Sequence, residues 1–287
     1  MFVELPVELE GKIFELAFLQ NPLDILSLLL VCKRIYTWIE PLRFRTVRLN
    51  DSAHSHAFMS ELRCKPAAYF ERHVKSLMLE SDFKWTLDDV CEIMGKCQGI
   101  IHFGTTYRFN EPILLGMLAS MRVRSLTLSL GPLFAFVLRP IDSGHAALAH
   151  TTHLVLHDKL LSGELLLQRV HDALPGLPAL THLRLKLHYR SQFHDFAMLL
   201  KSCPRLQILL LNSDSNNSLA WTHLTFSDPD PRLVVSREPF AYSDFWKDWE
   251  VKARGGIDLW ARAEDFVAQK RAGLVEMTDI WLPSESI

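Results

Sequence analysis

The chain has 287 residues, of which 48% are hydrophobic, and its 31 Lys and Arg residues nearly balance its 33 Asp and Glu residues. This hydrophobic content can build large buried cores and excludes a chain that is disordered over most of its length. The formal net charge of -2 provides no basic surface for nucleic-acid phosphates or for an anionic membrane. We therefore expect neither nucleic acid nor membrane as a partner.

The start of the chain, MFVELPVELEGK, carries three Glu residues where a secretory signal needs positive charge. The longest apolar run, residues 25–32, is much shorter than the roughly 20 residues that span a bilayer. The five cysteines are scattered and contain no close pair with zinc-ligand spacing. These features predict a cytoplasmic or nuclear protein with reduced thiols.

Residues 5–45 predict three short helices. Pro6 suits a first helical turn, and apolar residues recur at three- and four-residue spacing over residues 9–17. A second, leucine-rich helix covers residues 23–30, and a third, residues 32–40, ends before a proline. The three helices carry more apolar surface than so short a module can bury. We therefore expect the excess to dock onto another protein.

Motifs in these helices resemble an F-box. They are LP-x-E at residues 5–8, the Ile13-Phe14 pair, Asp24-Ile25-Leu26, and Val31 to Arg34 followed by Trp38. The resemblance implies binding to the Skp-type adaptor of a cullin-type (SCF) ubiquitin ligase. The contact residues that it implies are Leu5, Pro6, Glu8, Leu9, Ile13, Leu16, Leu26, Leu30 and Val31. The alternative is a helical hairpin that only caps the following domain.

From residue 46 onward, one short strand pattern recurs eight times. The residues predicted to point into the core are Leu49, Leu79, Phe103, Leu128, Leu156, Leu185, Leu211 and Val235. Successive members are 24 to 30 residues apart, and apolar residues at helical spacing lie between most of them. Such units cannot bury their apolar surfaces alone, so we expect them to stack. The pattern resembles a degenerate leucine-rich-repeat solenoid, and an ordinary α/β fold with irregular crossovers is the alternative.

The predicted fold is an α/β chain in three parts. Residues 1–45 form the F-box, residues 46–239 form a leucine-rich-repeat-like solenoid with a curved parallel sheet and outer helices, and residues 240–287 form an aromatic helical cap. Two short helices separated by Gly255 and Gly256 are predicted in the cap, and four of the seven tryptophans follow residue 240. This segment either seals the end of the solenoid or forms an aromatic binding surface.

Side-chain alternation along the strands predicts a polar row on the concave side of the sheet. If Leu126 and Leu128 point into the core, Ser125, Thr127 and Ser129 point the other way. The same register in the next two repeats gives the tentative substrate-binding residues His153, His157, His182, Arg184 and Lys186. We expect this patch to face solvent and to bind an acidic or phosphorylated segment of a protein substrate. A solvated polar surface without a ligand is the other interpretation.

The sequence contains no GxSxG, GxxxxGK[ST], GxGxxG or HExxH motif. His153 and His157 lie on one strand about 13 Å apart, too far to share an ion. We therefore predict no catalytic residue, no metal and no cofactor. The two resemblances together are typical of a fungal F-box protein, a non-catalytic substrate receptor. The alternatives are a leucine-rich-repeat scaffold protein without a ligase role and, more distantly, an enzyme with a site hidden between repeats.

Overall fold

In a computed structural model, the described residues are 5–20, 25–50, 52–80, 85–106, 111–135, 140–157, 169–170, 172–187, 193–213, 229–237 and 242–283. They group into two compact units. The first contains residues 1–78 and 82–100, and the second contains residues 79–81 and 101–287.

Eight strands form one parallel sheet in which every strand pairs with its neighbours in the sequence. This confirms the eight predicted strands. From β1 to β8 they are Thr46–Leu49, Ser76–Leu79, His102–Thr105, Ser125–Leu128, His153–Leu156, His182–Leu187, Ile208–Ser213 and Leu233–Ser236.

The predicted core residues of all eight strands are buried, from Leu49 in β1 to Val235 in β8. From β4 to β8 their register is also as predicted, because Leu128, Leu156 and the later members lie side by side. One alignment was wrong: Phe103 pairs with Leu126 and not with Leu128. β3 is therefore shifted by two residues relative to the predicted repeat, which keeps Phe103 on the same side of the sheet because side chains alternate.

Eleven α-helices lie within the described ranges. From α1 to α11 they are Val7–Gln20, Ile25–Leu29, Lys33–Ile39, Ser52–Cys64, Ala67–His73, Leu87–Lys96, Ile113–Ala119, Leu130–Leu133, Phe193–Ser202, Tyr242–Ala253 and Leu259–Arg271. The N-terminal helices, α6, α7 and α9 match predicted helices, whereas most of the predicted helix near residues 166–174 lies outside the described residues. Among the described helices, none has the length and apolar character needed to cross a membrane.

The two C-terminal helices are separated by a short turn with clear sequence signals. Gly255 ends α10 with a φ of +81°, a left-handed conformation that glycine adopts without steric strain. Asp258 then caps α11, since its side chain accepts a hydrogen bond of 3.0 Å from the backbone N–H of Ala261. The predicted helix pair is therefore confirmed.

The outer edge of β8 is closed by the last described segment of the chain. The N–H of Val235 donates to the carbonyl of Ile280 at 2.7 Å, and the N–H of Leu282 donates to the carbonyl of Val235 at 2.9 Å. An unpaired edge strand is a template for association with other chains. This segment supplies the missing backbone partners.

Candidate docking surface and the covered sheet face

The N-terminal helices display an apolar surface at the positions that carry the F-box resemblance. Neither α1 nor α2 contains a buried residue. The exposed fraction reaches 66% at Leu26 and 86% at Leu30. The other predicted adaptor contacts are exposed as well, namely Leu5, Pro6, Glu8, Leu9, Ile13, Leu16 and Val31. We call these nine residues the docking surface.

Contacts on the opposite side of α1 hold it against α3. Gly11 packs next to the Trp38 ring, since a Cβ added to this glycine would lie 3.6 Å from the ring, in van der Waals contact. Arg34 donates to the Glu10 carboxylate at 2.8 Å, and its guanidinium lies 5.6 Å from the centre of the Trp38 ring. Exposed ion pairs stabilise a fold only weakly, so the Arg34–Glu10 pair is a minor part of the contact between α1 and α3.

The short 3-10 helix that follows α3 joins the N-terminal helices to α4 and α5. Glu40 is buried there and accepts hydrogen bonds from Lys65 and from the Tyr69 hydroxyl. Burial raises the pKa of the Glu40 carboxyl, but these hydrogen bonds outweigh it, and the net pKa lies below the usual value. The ring of Phe44 packs edge-on against Phe70 with centroids 5.6 Å apart. The docking surface is thus attached to a well-packed base within the first unit.

In the second unit, the predicted polar row of the sheet has formed in the predicted register. Ser125, His153 and His182 lie side by side on β4, β5 and β6. Thr127, Val155 and Arg184 form the next line. The side chains of these strands therefore alternate as predicted.

This row does not face solvent, because α10 and α11 cover it. Arg184 of β6 donates to Asp248 of α10 at 2.8 Å and to Asn212 of β7 at 2.7 Å. Trp260 of α11 packs edge-on against both His153 and His182, with centroids 5.5 Å apart in each case. The result is a polar layer between the sheet and the C-terminal helices.

Burial keeps the histidines of this layer neutral. The His153 and His182 rings are stacked, with centroids 4.2 Å apart and an interplanar angle of 5°. Burial, and then the nearby Lys252 ammonium, lower the pKa of His182 to about 4 and of His102 to about 4. The same two causes, with the neighbouring histidines, lower the pKa of His153 to about 2.

The expectation of a solvent-facing cationic patch is therefore wrong. His182 and Arg184 are buried, His153 and His157 are half-buried, and the side chain of Lys186 lies outside the described residues. Arg184 already has an acidic partner within the chain. A role of these residues in substrate binding stays a prediction, and it would require α10 and α11 to move away.

Comparisons with protein-family models, curated proteins and solved structures found no match. Arguments about function therefore depend on the residues and their geometry.

The partners of the polar row were present in the sequence but were not recognised. Asp248 and Glu264 lie on α10 and α11, the helices that also carry the buried Trp246, Trp249 and Trp260. Acidic residues on helices with buried tryptophans are the sequence signal that could have predicted contact between these helices and the strands that carry His182 and Arg184. These three tryptophans are buried, whereas Trp281 is half-buried, with the guanidinium of Arg237 4.6 Å from its ring centre.

Proposed function

We propose that this chain is the substrate-receptor subunit of a cullin-type (SCF) ubiquitin ligase. In this proposal it has no catalytic role of its own and acts in the cytoplasm or nucleus. It binds the Skp-type adaptor through the docking surface, and the adaptor links it to the cullin.

The observation that carries the proposal is the exposure of the apolar stripe on α1. Leu9, Ile13 and Leu16 recur at helical spacing, so they share one side of the helix, and all three are about half exposed. A helix in a folded unit normally turns such a stripe inward. Burial of each side chain against a partner would contribute roughly 1.5 to 3 kcal/mol. The stripe therefore supports a binding surface for another protein.

The same surface weakens the scaffold alternative. In a helical cap, the apolar side chains of the helices would cover the neighbouring domain. In this chain Ile35, Ile39 and Phe44 are buried, whereas α1 and α2 contain no buried residue. The buried and the exposed apolar side chains thus lie in different parts of the described residues 5–20 and 25–45.

We infer further that residues 46–239 are a degenerate leucine-rich-repeat solenoid that binds a protein substrate. The sequential order of eight parallel strands supports this assignment, since each repeat contributes one strand next to its neighbour. Contact between a substrate and His182 or Arg184 would require displacement of α10 and α11.

Affinity for a purified Skp-type adaptor tests the proposal. We expect the full chain to form a 1:1 complex, and the double change Leu9→Asp with Ile13→Asp to weaken it at least tenfold, because hot-spot residues dominate such interfaces. Both residues are exposed, so the melting temperature should not change. Ile257→Asp with Leu274→Asp is the matched control, since these apolar residues of the second unit are also exposed. Absence of a wild-type complex would overturn the proposal.

A further inference from the structure

Three potential metal ligands meet between the sheet and α11. They are the imidazoles of His153 and His182 on adjacent strands and the carboxylate of Glu264 on α11. Their ligand atoms all lie within 4.8 Å of one another. His182 is 5% exposed, whereas the side chain of Glu264 is 54% exposed, so the cluster is buried at the sheet and open toward solvent at the helix.

The Nδ1 atom of His182 contacts a threonine hydroxyl. The Thr181 hydroxyl lies 2.8 Å from this atom and 3.1 Å from the carbonyl oxygen of Thr152, which also accepts from the backbone N–H groups of Thr181 and His182. In the tautomer that carries the proton on Nδ1, the hydroxyl accepts from His182, and Nε2 has a lone pair for a metal ion.

The preceding repeat has the same arrangement. The Thr152 hydroxyl lies 3.1 Å from the carbonyl oxygen of Arg124 and 2.9 Å from Nδ1 of His153. Metal-binding histidines commonly donate their second ring N–H to an oxygen placed in this way, which orients the ring toward the ion. Two consecutive Thr-His pairs thus direct two Nε2 atoms toward the same side of the sheet.

The buried Nε2 atom of His182 faces the carboxylate of Glu264. It has no hydrogen-bond partner, although it lies 3.1 Å from Oε1 of Glu264. A buried polar atom without a partner is unfavourable, and a cation between this nitrogen and the carboxylate would satisfy both groups.

We propose that His153, His182 and Glu264 bind a divalent ion of the Zn²⁺ class, with water completing its coordination. Two imidazoles and one carboxylate are a known ligand set for zinc with an open position. Tetrahedral coordination requires ligand atoms about 3.4 Å apart. The 3.1 Å between Nε2 of His182 and Oε1 of Glu264 is close to this value, whereas the stacked imidazole rings must tilt to bring both Nε2 atoms to one ion. The side chain of Glu264 is 54% exposed and has the freedom to follow.

Lys252 opposes the binding of a cation. Its ammonium is buried without a hydrogen-bond partner and lies 5.3 Å from the centre of the Trp260 ring. Trp260 in turn packs against both histidines, with ring centroids 5.5 Å apart in each case. The change Lys252→Met, which keeps the length of the side chain and removes its charge, should therefore tighten metal binding.

The site would connect three elements that are remote in sequence. An ion held by β5, β6 and α11 would fasten the C-terminal helices onto the polar row of the sheet. Because the folded site binds the ion and the unfolded chain does not, binding would raise the thermal stability of the chain. This inference does not rest on the proposed ligase function.

Metal titration of the untagged full chain, after treatment with a chelator, tests this site. We expect one equivalent of Co²⁺ to give visible absorption bands of a four- or five-coordinate site, and Zn²⁺ to displace it. Melting temperature should rise by several degrees with Zn²⁺. Glu264→Gln should weaken Zn²⁺ binding at least tenfold, whereas Asp265→Asn, which removes the neighbouring exposed charge on α11, should not.

His153→Gln provides a second test, because His153 is half-buried and its replacement disturbs the core less than a change at His182. It should also weaken Zn²⁺ binding at least tenfold. Absence of stoichiometric Co²⁺ uptake would overturn the inference. Equal affinity of the Glu264→Gln and Asp265→Asn chains would also overturn it, since the ion would then be bound by other histidines.

Discussion

Arg184 of β6 and Asp248 of α10 form an ion pair of 2.8 Å across the layer between the sheet and the C-terminal helices. The other carboxylate oxygen of Asp248 accepts a hydrogen bond of 2.8 Å from the N–H of Leu259, the first residue of α11. One carboxylate therefore connects β6, α10 and α11. The side chain of Arg184 is 4% exposed, so this ion pair lies largely away from solvent.

Asp248→Asn should therefore destabilise the chain. The change removes the negative charge beside the buried guanidinium of Arg184, and loss of one member of a buried ion pair costs about 3 kcal/mol. The free energy of unfolding in urea measures the effect. Asp265→Asn is the control, because its carboxylate is exposed on α11. Equal stability of the two variants would show that the ion pair contributes little.

Acid should destabilise the chain through the buried histidines of the polar layer. The lowered pKa of His102 and of His182, about 4 in each case, means that the unfolded chain binds protons more readily than the folded chain between about pH 4 and 6.5. The free energy of unfolding should therefore fall as the pH falls through this range. Each of these histidines accounts for about 2 kcal/mol between pH 7 and pH 5.

Urea unfolding at several pH values, in buffer with a chelator, measures this dependence. His102→Gln should reduce the slope of stability against pH. His150→Gln should leave the slope unchanged, because His150 is exposed. A slope that is the same in the wild-type chain and both variants would contradict the assigned role of buried neutral histidines.

Glu40 should stabilise the base of the docking surface. Glu40→Gln removes the charge that accepts hydrogen bonds from Lys65 and Tyr69, and hydrogen bonds to charged groups contribute roughly 1.5 to 3 kcal/mol. We expect a loss near the lower value, since Gln can still accept one bond. Glu61→Gln is the control, because Glu61 also approaches Lys65, at 3.4 Å, but is more exposed. Limited proteolysis of the first unit should distinguish the two variants.

Much of the sheet could be predicted from the sequence. Leu126, Leu128 and their equivalents alternate with polar residues, and this period of two is a direct consequence of strand geometry. The docking surface could also be predicted from the sequence, because helices with more apolar residues than they can bury must leave some of them exposed. The two-residue shift at Phe103 could not be predicted, since a shift by two preserves the alternation.

The contact of α10 and α11 with the sheet could not be predicted in the same way. The pattern of α10 and α11 shows that these helices have an inner side, but it does not show which surface that side will contact. The cluster of His153, His182 and Glu264 was missed for the same reason. Its members come from β5, β6 and α11, whereas spacing along one strand relates His153 only to His157.

Chemical protection of Cys32 tests the central claim, that the N-terminal helices bind a Skp-type adaptor. Cys32 is exposed and directly follows Val31 of the docking surface, whereas Cys64 is exposed at the end of α4. The alkylation rate of each thiol is measured by mass spectrometry with and without saturating adaptor. The rate at Cys32 is predicted to fall at least tenfold while the rate at Cys64 stays unchanged. Unchanged alkylation of Cys32 in the presence of the adaptor would contradict the account.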